Sequence, residues 1–476
     1  MKPTELRNKR YLLSSALFGL IASLAWADDG TPGCRGKTPG AVLAIEKTFE
    51  RTREDLEDFA RILGQTAKYG AHGYRVVYCT TDPRGDVVPA SGAVIIPVET
   101  VQGKTLPLPG KLPIVSYQHG TQAKKSEVPS NPETMESIGV SAGLVTLGFA
   151  ATATDYLGLG VSEGVHPYLH AKTEASSAAD LLSALQFIES VVRAQFDKKI
   201  YLLGYSQGGH ATMALHRYLE MVDSRGFEIM ASAPMGGPYD LAKATVEGAI
   251  TNPSPNTPFY ATYVVMGMRS AYGIFTDVKE ALLEPYASVI TKMFEAGTEE
   301  NHQYIKILPK KLEDMVVPNL MQALKTADSG NPLIKALAEN VVCDWAPKAP
   351  TKLYHAGRDI DVPYKNAEVA FQRMRDLGAK NLELVNLGDV DHHGGALPAF
   401  RASIAWFAQT RSLTLENGRA LYSAKCQRCH GSPDTTRIRN STVAKINGAI
   451  ASVAKMRGLA TLSQDEIAAI ALVLKD

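Results

Sequence analysis

The pentapeptide Gly204-Tyr205-Ser206-Gln207-Gly208 constrains this chain more than any other feature. A serine between two glycines in this pattern matters mechanically when it occupies a sharp turn from a strand into a helix. Both flanks are legible. Ile200-Tyr201-Leu202-Leu203 is an apolar run of strand character, and Ala211, Ala214, Leu215, Tyr218, Leu219 and Val222 recur on one helical face. A second match, Gly160-Val161-Ser162-Glu163-Gly164, sits in a glycine-dense loop ending at His166-Pro167 and reads as coincidence.

The surrounding rhythm is that of an α/β fold. Tyr74–Cys79 and Ala93–Pro97 read as strands joined through the turn-forming Asp82-Pro83-Arg84-Gly85. Leu112–Tyr117, Phe149–Thr154 and Lys199–Leu203 are buried-type strands, and Ser177–Val192 has helical spacing. Such alternation implies a mostly parallel sheet with helices on both faces. Late strands follow at Thr351–Tyr354 and Asn381–Leu387. Between about Pro238 and Ala349 the rhythm stops, and helical patterns at Val278–Phe294 and Leu312–Ala327 suggest a cap inserted over a pocket.

A serine hydroxyl needs an imidazole to take its proton and a carboxylate to orient that imidazole. In sheet hydrolases the order along the chain is serine, acid, histidine, with the last two on loops after late strands. Here Thr351–Tyr354 runs into Asp359 and Asp361, and Asn381–Leu387 runs into His392 and His393. The residues themselves leave both pairs open.

With these residues in place, the chain resembles the α/β-hydrolase superfamily over roughly residues 40 to 410, and within it the secretory lipase-like esterases. The resemblance rests on the Ser206 elbow, Tyr117-Gln118-His119-Gly120-Thr121, Thr154-Asp155-Tyr156-Leu157-Gly158-Leu159-Gly160, His166-Pro167-Tyr168, Asp359 with Val362-Pro363, and His393-Gly394-Gly395. It implies that Asp359, four residues before the proline, is the acid and His393, abutting the glycines, the base. It also implies an oxyanion hole from the backbone N–H groups of Gln207 and Thr121. His119, Asp155 and Tyr156 are expected to be scaffold, and the insertion a lid.

The ends carry different information. Lys9-Arg10, the apolar run Tyr11–Leu24 and Ala25-Trp26-Ala27 lay out a secretory signal over residues 1–27, too short to span a bilayer. The mature chain, from Asp28, is expected to be periplasmic or secreted. No other segment reads as a membrane span, and a net charge of +1 excludes an overall nucleic-acid binder. Residues 28–411 read as the hydrolase unit, with the cap at about 238–349.

From 415 to 476 a small helix-patterned module carries nine Lys/Arg against five Asp/Glu. It contains Cys426-Gln427-Arg428-Cys429-His430, the C-x-x-C-H attachment signature of c-type haem. A zinc site would want about four Cys or His ligands, and a redox dithiol would want a βαβ setting; the sequence supplies neither. By elimination Met456 is the candidate sixth ligand to iron, opposite His430, since His/Met ligation suits electron transfer. The module resembles a small class I cytochrome c domain in Gly418, Tyr422, the haem run and a last helix at Ile467–Leu474, begun by Ser463 and Glu466 as a capping box. It departs in the short spacing from His430 to Met456, which keeps Lys455 or an open site as alternatives. Of Cys34, Cys79 and Cys343, at most two can pair, and the sequence does not choose.

The expected function is an exported serine esterase with a covalent haem c domain, whose partners are an ester substrate and a periplasmic redox protein such as a dehydrogenase. The rival is an electron-transfer cytochrome whose hydrolase-like part only binds.

Overall fold

The computed structural model describes residues 33–474 except 102, 103, 109, 460, 461 and 463. The signal-like segment 1–27 and the capping serine Ser463 lie outside the described residues. Ten strands form one sheet: β1 (Val42–Arg51), β2 (Gly70–Thr81), β3 (Val87–Val101), β4 (Lys104–Pro107), β5 (Lys111–Gln118), β6 (Ala150–Thr154), β7 (Gln195–Tyr205), β8 (Glu228–Met235), β9 (Thr351–His355) and β10 (Leu382–Asn386). Their order is β1-β2-β3-β6-β5-β7-β8-β9-β10, with β4 folded back on β3. The first three strands and the β3–β6 pair are antiparallel, and from β6 onward all neighbours are parallel.

Helices α1 (Arg53–Ile62) and α2 (Met135–Gly143) cover one face. Helices α3 (Ala171–Val192) and α4 (Gln207–Met221) cover the other. The α1/α2 face also receives the last long helix, whose Ala399, Ile404 and Phe407 join Leu56, Leu63 and Val140 in one core. The opposite core packs Leu181, Leu182, Leu185 and Leu215 on Val94, Ile114 and Leu202. Double coverage explains the continuous apolar runs of the central strands. A disulfide, Cys34–Cys79, settles the pairing that the sequence left open and ties the start of the described chain to β2; Cys343 is buried and free.

The insertion between β8 and β9 holds six short helices: α5 (Val246–Thr251), α6 (Thr257–Tyr272), α7 (Tyr286–Ala296), α8 (Asn301–Ile307), α9 (Pro318–Thr326) and α10 (Pro332–Glu339). The expected helical stretches Val278–Phe294 and Leu312–Ala327 are each broken, because Pro285 caps α7 and Pro318 opens α9. The six pack into a core of their own with Ala123, Tyr168 and Leu169, residues of the loops that follow β5 and β6. After β9 come α11 (Lys365–Asp376) and then α12 (His392–Lys425), α13 (Gln427–His430), α14 (Val443–Ser452) and α15 (Gln464–Val473). Helix α12 runs without a break through 411–415, where the sequence places the change from the hydrolase unit to the small module. Among the described residues, no helix is long and apolar enough to cross a membrane.

Candidate active site

Strand β7 pairs with β5 from Lys111↔Gln195 to Gln118↔Gly204, and its end delivers Ser206 to the sheet's rim. Ser206 has φ 61° and ψ −121°, a conformation that costs a non-glycine residue about 1–3 kcal/mol. Neighbours enforce it: the Ser206 amide donates to Met235 O at 2.9 Å, and the Gly209 amide donates to Ser206 O at 2.8 Å. Gly208 is required by close approach, since a Cβ there would lie 2.1 Å from Gln118 O and 2.9 Å from His119 O. Gly208→Ala is therefore expected to cost about 3 kcal/mol or more; denaturant unfolding against wild type checks this.

The base is where the structure corrects the sequence reading. His392, not His393, faces the serine, with Nε2 2.9 Å from Ser206 Oγ and Nδ1 2.6 Å from Asp359 Oδ2. Asp391 caps α12 by accepting from the Gly394 amide at 2.7 Å, so His392 and His393 open a helix and diverge by about 100°. His392 is buried and its carbonyl accepts from Tyr205 Oη. His393 is 77% exposed, 3.7 Å from Asp361. Asp361 itself accepts from the cap residues Ser254 and Asn256, so it does not orient the base.

Asp359 stands where the resemblance put it. Its Oδ1 accepts from the Val362 amide at 2.8 Å, and His355 Nε2 lies 3.3 Å from Oδ2, the oxygen that His392 also contacts. Burial alone would raise this carboxyl, but hydrogen bonds from His355 and His392 more than offset it and hold the pKa at about 2. Asp359 is thus ionised at any working pH, as the carboxylate partner of a proton-accepting imidazole must be.

Beside Ser206 opens a cavity of about 370 Å³ whose walls include Phe59, Leu63, Val140, Leu144, Phe400 and Ile404, with Gly120 and Gln122 at its edge. None of its lining residues comes from the cap. The cap stands instead over the loop after β5. On this cavity's wall the Tyr117 hydroxyl donates to half-buried Glu136, whose pKa burial raises. Ser162 lines a larger groove of about 590 Å³ that touches neither Ser206, Asp359 nor His392, consistent with a coincidental motif.

The residues expected to be scaffold are hydrogen-bonded within the loops around the site. Asp155 accepts from Ser91 Oγ and Ser130 Oγ, each at 2.6 Å. Tyr156 Oη donates to His119 O at 3.2 Å, and His119 lies 2.7 Å from Gly120 O. The sequence reading missed the pair behind the elbow: the Gln207 side chain bridges His166 Nε2 at 2.7 Å and Glu174 Oε1 at 3.0 Å. The His-Pro-Tyr segment was the visible signal for it.

Burial lowers the pKa of His166 to about 3 and those of His72, His119 and His170 to about 4. In the unfolded chain these groups titrate near 6.5, so as pH falls below that value the unfolded state takes up protons first. Their contribution is complete above about pH 6.5 and is lost progressively toward about pH 4. The melting temperature is expected to drop across that window, and His166→Gln to flatten the drop in calorimetry.

In the C-terminal helices, Cys426 is buried beside Tyr422, Ile446, Ile470 and Leu474, and Met456 packs against the same cluster. Cys429 is exposed. The Cys429 and His430 amides donate to Cys426 O at 3.1 and 3.0 Å, so α13 gathers both thiols and the imidazole on one turn. Gly418 lets α12 meet α15 closely, a Cβ there falling 2.1 Å from Ala469 O. The Tyr422 hydroxyl is buried without a hydrogen-bond partner.

No protein-family model matches the sequence, and neither does any curated protein. Solved structures do. A Legionella pneumophila protein assigned as a hydrolase superposes with a TM-score of 0.71 at 26% identity, covering 78% of this chain and 98% of its own. The rice cell wall degrading esterase LipA from Xanthomonas oryzae gives 0.70 at 25%, covering 79% and 98%. Candida antarctica lipase A in its closed state gives 0.58 at 16%, covering 77% and 83%, a likeness of fold alone. Sheet order, the elbow and these likenesses give the chain an α/β-hydrolase fold. The chain is a carboxylic ester hydrolase.

Proposed function

We propose that this chain is an exported serine esterase carrying a c-type haem module. The observation that carries the hydrolytic part is the unbroken line from Ser206 Oγ through His392 to Asp359, at 2.9 and 2.6 Å. Ser206 attacks an ester carbonyl while His392 Nε2 takes the hydroxyl proton, and His392 then gives that proton to the departing alkoxide. Asp359 stabilises the imidazolium. The amides of Gln207 and Thr121 hold the oxyanion. Water, deprotonated by the same imidazole, attacks the acyl-serine and releases the acid. The acyl group fits the apolar cavity beside Ser206. The direct test is p-nitrophenyl ester turnover by wild type and Ser206→Ala, where equal rates would overturn the reading.

The donor set of the tail suits a haem c. Cys426 and Cys429 would hold it through two thioether links, and His430 and Met456 would supply its ligands, beside an apolar cluster of Tyr422, Ile446, Ile470 and Leu474. When bound, such a group supplies one-electron transfer. Ester hydrolysis needs no electrons, so the module serves a partner, either accepting electrons from a periplasmic dehydrogenase acting on the released alcohol or docking the esterase beside one. The basic tail favours an acidic partner surface. The signal-like N-terminus, the Cys34–Cys79 disulfide and the likeness to a cell wall degrading esterase support work outside the cytoplasm.

A further inference from the structure

The loop after β5 must place one oxyanion donor, yet it belongs to no helix or strand from His119 to Lys125. What fixes it is the cap. Asn301, the first residue of α8, donates from Nδ2 to Thr121 O at 2.7 Å and accepts at Oδ1 from the Ala123 amide at 2.9 Å. One planar amide therefore clamps the peptide groups on both sides of Gln122. Tyr263 of α6 donates to Gln122 O at 2.7 Å, and the Lys125 amide donates to Gly297 O at 2.8 Å. Ala123 is buried in the cap's own core among Phe259 and Tyr263. Asn301 is in turn held by a capping box, Glu300 N to Gln303 Oε1 at 2.7 Å.

The same loop reaches the reacting serine. Gly120 and Gln122 line the cavity with Ser206, and Thr121 stands between them. Its hydroxyl shares a 2.8 Å hydrogen bond with Tyr168, leaving its carbonyl to Asn301. Turning the Thr121–Gln122 peptide would break the Asn301 clamp, and with its hydroxyl also tied to Tyr168, Thr121 is held at both carbonyl and side chain, which fixes the residue that carries the amide.

We propose that Asn301 is a positioning residue for this reaction, clamping the β5 loop so that the Thr121 amide keeps its working orientation only while the cap is seated. The proposal rests on the serine-esterase reading above. It makes the cap part of the oxyanion hole rather than a cover for the acyl cavity, which it does not line.

The test compares wild type with Asn301→Ala and Asn301→Asp in the full chain. The aspartate keeps an acceptor for the Ala123 amide but sets a carboxylate oxygen against Thr121 O, and its near-identical size guards against a misfolded alanine variant. Misorienting one oxyanion donor is expected to lower kcat by about 100-fold with KM within about threefold. Affinity for a trifluoromethyl ketone, whose serine adduct bears the oxyanion, is expected to fall by the same factor as kcat/KM, while the melting temperature moves by only a few degrees. A wild-type kcat and ketone affinity in Asn301→Asp would overturn the proposal. So would a rise in KM and a lower melting temperature with ketone affinity intact. An inert wild type, or an active Ser206→Ala, would instead indict the esterase reading itself.

Discussion

Replacing His392 with alanine is expected to lower ester turnover by about 10⁴-fold or more, as is Ser206→Ala, whereas His393→Ala stays within about threefold of wild type. The argument is geometric. Only His392 bridges Ser206 and Asp359, and no rotamer of the next residue can replace it, because helix α12 carries the His393 side chain about 100° around its axis into solvent. The double variant Ser206→Ala/His392→Ala is expected to lose little more than either single one, since the two act as a unit. A burst of p-nitrophenol in the wild type, absent from both singles, would report the acyl-serine. If His393→Ala were the silent enzyme and His392→Ala the active one, the relay described here would be wrong.

The second large effect is spectroscopic. Protein made with haem-maturation machinery is expected to show a reduced-minus-oxidised c-type spectrum that is lost entirely in Cys426→Ala/Cys429→Ala. Thioether attachment needs both thiols, and one turn of helix presents them together. In Met456→Ala the pigment should stay bound but lose its low-spin signature, because a thioether ligand would be gone while His430 remains. No pigment in the wild type would refute the module's assignment, and an unchanged spectrum in Met456→Ala would refute that ligand. Ester turnover is expected to survive in every one of these variants.

Much of the fold was legible because apolar runs and turn signals agree over the central sheet: β2, β3, β5, β6, β7, β9 and β10 all fall on stretches that the pattern marks. Three strands were not. β8 has a single β-branched residue, Ile229, and its centre runs Ala231-Ser232-Ala233-Pro234, so it lacks the run of β-branched residues that flags a strand. β1 carries charges along an edge, and β4 is four residues long. The elbow was readable because its chemistry is local: glycines, a strand before and a helix after.

The choice between His392 and His393 was not local. It depends on where Asp391 starts a helix, and a shift of one residue there exchanges the two rings. Similarly, Asp359 and Asp361 differ in what faces them from elsewhere in the chain, His392 in one case and Ser254 with Asn256 in the other. Asn301 was invisible for the same reason. Its partners lie about 180 positions away, and an asparagine at a helix start is unremarkable in sequence.

Helix α12 begins with the imidazole that faces the serine and ends at the first of the two tail thiols, and at 1.5 Å per residue its contour is about 50 Å. A mast of that length sets the imidazole beside Ser206 and the tail thiols at opposite ends of one helix. A molecule that meets the tail would do so a helix's length from the pocket beside Ser206.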